Sequence, residues 1–267
     1  QLAMEDEVCY TFNPHTVFLE YGQYLDEMDM NEMYEKLVDN PNVKKKKINA
    51  RELLVKISQT QKESGYPYLF FKDNANKEHA LKEIGTVKFS NLCTEIMQLS
   101  EVSDINAYYE EDTIRRGISC NLGSLNIATV MENKRIKEAT KAAIDSLTMV
   151  SDLTNIDIVP SIKKANDELH SVGLGAMNLH GYLAKNFIMY ESKEALDFCN
   201  VFFMMVNFYS LERSMEIAKE KGETFKDFEK SEYANGNYFD KYITKEYIPK
   251  TEKIKQLFEG IYIPTKE

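Results

Sequence analysis

No stretch of the 267 residues stays apolar for the roughly 18 to 20 positions that a membrane span requires. The most apolar run, Phe198 to Leu211, is shorter and is interrupted by Asn200, Asn207 and Ser210. Cysteine is scarce as well: Cys9, Cys93, Cys120 and Cys199 form no CxxC pair and no Cys/His cluster at zinc spacing. A disulfide scaffold is thereby excluded, a reducing cytoplasm is expected, and any working cysteine should be catalytic or redox-active. Basic residues are in the minority, 33 against 43 acidic ones, for a net charge of −10. That balance argues against nonspecific nucleic-acid binding, which needs clustered Lys and Arg. The one basic run, Lys44 to Lys47, reads as a solvated loop or helix lead-in. Tryptophan is absent, and nothing follows from it. The opening Gln1-Leu2-Ala3-Met4-Glu5-Asp6 has no initiator Met, no basic leader and no apolar core, so a signal peptide is not expected. A processed product, or a piece of something longer, is the expectation. The uncapped end Ile263-Pro264-Thr265-Lys266-Glu267 points the same way.

What is present is ordinary for a globular protein with a substantial core: 43% hydrophobic and 28% charged residues. Residues 1–65 read as a helical lead-in, with turns at Asn13-Pro14-His15 and Asn40-Pro41-Asn42 and a loose helical pattern over Tyr21 to Val38. Asn49 with Glu52 predicts a helix start, Leu53, Leu54 and Ile57 an apolar stripe, and Gly65 its end. Tyr68-Leu69-Phe70-Phe71 predicts a short buried strand, and Asp73 to His79 a polar loop. Thr86 to Ser90 alternates as a strand leading into Asn91-Leu92-Cys93-Thr94-Glu95. Residues 131–267 are mainly helical: Lys134 to Leu153 has apolar positions at three- and four-residue steps, and Ser192 caps a long helix that stops at Gly222. Strands interspersed with helices predict an α/β architecture, with too few strands to close a sheet or barrel.

In an extended segment, Asn91, Cys93 and Glu95 project to one side. They present an amide, a sulfur able to do nucleophilic or one-electron chemistry, and a proton acceptor. Such a set is costly on a buried face unless something polar sits in front of it. The plainer alternative makes Cys93 a small core hydrophobe, with Asn91 and Glu95 at a solvated strand end.

Ser90-Asn91-Leu92-Cys93-Thr94-Glu95-Ile96 resembles the finger-loop signature of class I ribonucleotide reductase large subunits. Cys120-Asn121-Leu122-Gly123-Ser124-Leu125-Asn126 resembles that family's second redox-cysteine segment. The two cysteines lie 27 positions apart, as in the class Ib branch. Gly65-Tyr66-Pro67-Tyr68 and Gly173-Leu174-Gly175-Ala176-Met177-Asn178-Leu179-His180-Gly181 add matches on either side, so the resemblance spans at least Ser64 to Leu183. Leu92 and Thr94 stand where the vitamin B12-dependent class usually has Pro and Gly.

The resemblance implies part of a ten-stranded α/β barrel, with residues 66–130 carrying the finger-loop and redox-cysteine segments. It implies a Cys93 thiyl radical that takes the 3′ hydrogen of a ribonucleoside diphosphate, Glu95 as general base on the 3′ hydroxyl, and Asn91 holding the sugar. Residues Asn91, Leu92, Cys93, Thr94 and Glu95 would contact substrate, and Cys120 would be one of two reducing thiols. No metal or cofactor is expected in this chain. The radical would come from a dimetal small subunit, electrons from a glutaredoxin- or thioredoxin-like donor, and nucleotide effectors would bind outside this segment. The complete subunit would be a homodimer.

Departures accompany the match. The family partner of Cys120 lies far upstream, and Cys9 is too near to be it, so Cys9 reads as a bystander and Cys199, on an apolar helix stripe, as core. The effector-binding segment, the phosphate-gripping loop, the radical-relaying tyrosine pair and the tail cysteines are absent, so the chain alone should not turn over. His15, His79, His170 and His180 are at no metal-site spacing and read as satisfied or exposed. Gly173-x-Gly175 lacks the third glycine of a dinucleotide fingerprint and reads as close helix–helix packing. The Phe198 to Tyr209 stripe reads as core or subunit interface. Two rival classes stay open: a noncatalytic scaffold that retains the fold, and a thiol redox protein that pairs Cys93 with Cys120.

Overall fold

The computed structural model describes residues 2–240 and 247–265 and divides into two compact units. Gln1, Lys266 and Glu267, which belong to the two termini read above, lie outside the described residues.

The first unit comprises residues 1–72 and 88–95. Strand β1 (Val8–Phe12) leads into helix α1 (Pro14–Tyr21), whose start is fixed by Asn13 accepting from the Thr16 N–H and by Pro14, which has no N–H to leave orphaned. A 3₁₀ turn (Leu25–Glu27) and helix α2 (Met30–Asp39) follow, so the single loose helix expected over Tyr21 to Val38 is broken; Asp29 caps the new start. The apolar positions of that pattern still do their work: Met28 and Leu37 join Val17 and Val43 in a small core.

Lys44 to Lys47 is solvated and leads toward a helix as expected, but Lys45 to Lys47 do so as a strand. Strand β2 (Lys45–Asn49) pairs antiparallel with β1, Cys9 opposite Ile48. Pairing with β1 supplies the backbone partners that the lysine run could not advertise by itself, while the Lys45 ammonium reaches the Asn40 carbonyl at 2.8 Å beyond the C-terminal end of α2. Helix α3 (Ala50–Ser64) matches expectation at both ends: Asn49 accepts from the Glu52 N–H at 2.9 Å and Gly65 closes it at φ 79°. Its stripe is not buried, however: Leu53 and Leu54 are exposed and Ile57 is half-buried. The expected strand at Tyr68 to Phe71 is absent, and Tyr68, Leu69 and Phe71 are likewise exposed. An apolar run forms a buried strand only if another strand and a core accept it, and no described strand pairs with this one. The polar loop expected at Asp73 to His79 is helix α4 (Lys72–Glu78).

The second unit comprises residues 73–87 and 96–267. Strand β3 (Leu122–Asn126), hidden in the Cys120 motif, pairs in parallel with β4 (Gly173–Met177). Parallel partners need a long crossover, here helices α5 (Ile127–Glu132), α6 (Ile136–Leu153) and α7 (Pro160–Leu169). Gly173 therefore serves strand–strand rather than helix–helix packing: a Cβ there would lie 2.4 Å from a Leu122 methyl. Helix α8 (Leu179–Lys185) precedes α9 (Lys193–Lys221), which runs from its Ser192 cap to Gly222 as expected. Phe198, Phe202, Met205 and Tyr209 of α9 are buried against Ile127, Ile136 and Leu183. A short helix α10 (Glu232–Asn235) and α11 (Glu252–Leu257) complete the unit. Asp197 of α9 anchors the start of α11, accepting from the Thr251 N–H at 2.7 Å, the Thr251 hydroxyl at 2.9 Å and the Lys250 N–H at 2.9 Å. Among the described residues the strands form two two-stranded sheets, an α/β arrangement that closes no barrel. No described helix is long and apolar enough to cross a membrane.

Candidate active site

Thr86 to Glu95 forms no strand, and a turn at Asn91 to Thr94 assembles the chemical triplet instead. The Thr94 N–H donates to the Asn91 carbonyl at 3.1 Å, and Thr94 takes a left-handed φ of 66°. A β-branched residue rarely accepts that conformation, and holding one there costs on the order of 1–3 kcal/mol. The turn folds Glu95 back onto Asn91. The Asn91 amide donates to Glu95 Oε1 at 2.7 Å, and Asn91 Oδ1 accepts from the Glu95 N–H at 3.2 Å and from the Ser90 hydroxyl at 3.1 Å. Asn91 is thus locked from three sides, half-buried, while Leu92, Cys93 and Glu95 are exposed and Thr94 is half-buried. The reading of Cys93 as a core hydrophobe does not hold.

Tyr68 joins this group. The Tyr66 hydroxyl bonded to it pushes its phenol above the usual range, with smaller contributions from the charges of Cys93 and Glu95. The two rings lie 4.9 Å apart. The apolar run predicts Tyr68 in a buried strand, whereas Tyr68 is exposed and feels the charges of Cys93 and Glu95; the Gly65-Tyr66-Pro67-Tyr68 motif is the only hint of this in the sequence.

Cys120 belongs to the second unit and is exposed. Cys9 and Cys199 are half-buried; burial pushes the Cys199 thiol up, as suits its place against the α9 core. His15, His170 and His180 are exposed, and His79 is held by the Met97 carbonyl at 3.2 Å. No group of three metal-binding side chains occurs among the described residues. A cavity of about 440 Å³ opens near Asp152, Asn166, Asp167, His170, Lys221 and Glu223, at the C-terminal ends of α6, α7 and α9. It contains none of the expected site residues.

In the first unit a turn presents a thiol between an amide and a carboxylate; in the second a thiol precedes a parallel strand pair. The sequence model of the family described as ribonucleotide reductase, barrel domain, matches residues 1–262. The chain belongs to that family, and its α/β elements are part of that barrel. It is 61% identical, over all 267 residues, to the ribonucleoside-diphosphate reductase subunit alpha of Bacillus subtilis (strain 168), covering 38% of that protein. It is 45% identical, over its whole length, to the protein of the same description in Mycoplasma pneumoniae, covering 37% of it. A class Id ribonucleotide reductase alpha subunit from Actinobacillus ureae overlays 72% of this chain and 34% of its own at 26% identity, with a TM-score of 0.48. The chain thus spans less than two fifths of the length of the curated relatives named here.

Proposed function

We propose that this chain is the finger-loop segment of a class Ib-like ribonucleoside-diphosphate reductase, which converts ribonucleoside diphosphates to 2′-deoxyribonucleotides. The observation that carries the reading is the Asn91–Glu95 hydrogen bond across the turn that exposes Cys93. Family membership supports it.

In this reading a Cys93 thiyl takes the 3′ hydrogen of the ribose, forming S–H and leaving the unpaired electron on C3′. Glu95 accepts the 3′ hydroxyl proton, which assists departure of the 2′ oxygen as water. Asn91, already locked by the turn, fixes both the carboxylate and the sugar hydroxyls, a positioning contribution. Backbone groups of Leu92, Cys93 and Thr94 line the ribose. Cys120 and a thiol outside this chain supply two electrons and two protons and end as a disulfide. The C3′ radical regains a hydrogen from Cys93, which restores the thiyl.

The chain itself holds no metal in this reading. A dimetal small subunit generates the radical, a glutaredoxin- or thioredoxin-like protein restores the thiols, and effectors bind elsewhere in a homodimeric complete subunit. The setting is cytoplasmic, and the acidic net charge of −10 makes nucleic acid an unsuitable partner. The test is Cys93→Ser in the full-length subunit assayed with its small subunit. Deoxyribonucleotide formation should fall to background while nucleotide binding persists. Retained turnover would remove Cys93 from the chemistry.

A further inference from the structure

Cys120 stands between two residues that are tied into one buried polar network. On one side, the Ser119 N–H donates to Gln98 Oε1 at 2.9 Å and the Ser119 carbonyl accepts from Gln98 Nε2 at 2.7 Å, so a single side-chain amide fixes both backbone polar groups of the preceding residue. On the other side, the Asn121 carbonyl accepts from the Gly173 N–H at 2.8 Å, at the start of β4. Asn166 of α7, only 5% exposed, joins the two sides. Its Oδ1 accepts from the Ser119 hydroxyl at 3.3 Å, the Asn121 amide at 3.0 Å and the Ser151 hydroxyl at 2.9 Å. Its Nδ2 donates back to the Ser151 carbonyl at 3.0 Å.

Four of the polar side chains, Gln98, Ser119, Ser151 and Asn166, are buried. Burying them is costly unless every one is satisfied, and an apolar packing would have been the cheaper way to seat a strand. What the arrangement provides is geometric: the backbone is clamped on both sides of a residue that is itself exposed. Thiol–disulfide exchange depends on how the attacking sulfur is presented to its partner, and a misplacement of about 1 Å can cost 10²-fold in rate.

From this network we infer that Asn166, acting with Gln98, is the positioning residue for the Cys120 thiol. The inference rests on the reading of Cys120 as a redox thiol. Neither residue touches the reacting atoms. Asn166 sets where Ser119 and Asn121 lie, and these set the path of the Cys120 backbone.

The experiment is carried out in the full-length subunit with its small subunit, comparing Asn166→Leu, Asn166→Asp, Ser119→Ala and Cys120→Ser. Asn166→Leu should lower kcat by about 10- to 100-fold with KM for the nucleoside diphosphate changed less than about twofold. Asn166→Asp keeps the accepting oxygen and should recover a large part of the rate. Alkylation of half-buried Cys199, followed by mass spectrometry, reports whether the fold is intact. A folded Asn166→Leu with wild-type kcat overturns the inference, as does an Asn166→Asp no better than Asn166→Leu. If Asn166→Leu unfolds, Ser119→Ala decides, since it removes one donor without a large cavity: a fall of about 3- to 10-fold supports positioning, and an unchanged kcat overturns it. Cys120→Ser separates the two layers. If it retains turnover, the redox reading itself fails; if it is inactive while the network variants turn over normally, only the positioning inference fails.

Discussion

Asn91 and Glu95 hold each other at 2.7 Å across a turn whose residue Thr94 sits in the left-handed region, and Cys93 is presented between them. A carboxylate held by a fixed amide needs no reorganisation before it accepts a proton, which is the condition for efficient general-base action. Glu95→Gln preserves size and much of the hydrogen bonding but removes the base. It should lower reductase turnover by about 10²- to 10⁴-fold with little change in substrate binding. Asn91→Ala should lower it too, through loss of positioning. Rates measured on the complete subunit check both, and a Glu95→Gln subunit with full turnover would assign the base elsewhere.

The four cysteines should separate by reactivity. Cys93 and Cys120 are exposed, whereas burial pushes the Cys199 thiol up and so lowers its thiolate fraction. Brief alkylation near neutral pH followed by peptide mapping should label Cys93 and Cys120 first and Cys199 well behind. Labelling of Cys199 at the same rate would contradict its packing against the α9 core.

Burial lowers the pKa of His79 from its ordinary value of 6.5, outweighing the Met97 carbonyl bond and the Glu232 charge, which act the other way. The neutral ring is also the one that fits: Nε2 faces the Met97 carbonyl, while Nδ1 accepts from the Leu81 N–H at 3.3 Å, a role that a second ring proton would abolish. A depressed folded pKa means that the unfolded chain binds more protons in this window, so stability rises with pH through it. The His79 contribution is therefore complete above 6.5 and is lost as pH falls through the lower, folded value. Unfolding midpoints followed from about pH 5 to pH 7 should show this slope, and His79→Gln should flatten it. An identical slope in both proteins would assign the effect to other groups.

Local chemistry was legible in the sequence and long-range pairing was not. Asn49 with Gly65 and Ser192 with Gly222 mark their helices because a cap is made by residues within one turn of the end it closes. The candidate residues Asn91, Cys93, Glu95 and Cys120 stand out as motifs, although the turn that folds Glu95 onto Asn91 does not; the core stripe of α9 is readable. Strand β2 escaped because Lys45 to Lys47 gain their pairing from β1, some 35 positions away in sequence. Strands β3 and β4 were hidden in glycine-bearing motifs whose register depends on each other. The apolar run Tyr68 to Phe71 misled because propensity for a strand is realised only against a partner. Gln98 and Asn166 gave no signal at all: their contacts with Ser119 span 21 and 47 positions.

The Gly173 contact yields a double-mutant cycle. A Cβ at Gly173 would come within 2.4 Å of Leu122 Cδ2, the far end of a side chain that is half exposed and able to swing aside. Gly173→Ala should therefore destabilise by only about 1–2 kcal/mol, the cost of moving Leu122 off its place above the strand. In a Leu122→Ala background the same change should cost much less, because the obstructing methyl is gone. Denaturant unfolding of the four proteins measures the coupling. Strict additivity would mean that the obstruction lies in the backbone and not in Leu122.

Asp197 should be among the more sensitive side chains outside the candidate site. It is 7% exposed on α9, and its Oδ2 gathers the Lys250 N–H, the Thr251 N–H and the Thr251 hydroxyl, tying the start of α11 to the main core. Asp197→Ala leaves those donors without an acceptor in a partly enclosed place and removes the tether that brings Ile254 and Phe258 into the core. A loss of about 1–3 kcal/mol is expected, enough to lower the melting temperature by several degrees. Asp197→Asn can keep its carbonyl oxygen at the Oδ2 position and retain three bonds, but its amide then meets the Lys250 N–H, which Oδ1 now faces at 3.1 Å. Its cost should fall between those of wild type and Ala. If Asp197→Asn and Asp197→Ala melt together, the bond of Oδ1 to Lys250 dominates; if Asn melts with wild type, the three bonds to Oδ2 carry the anchor.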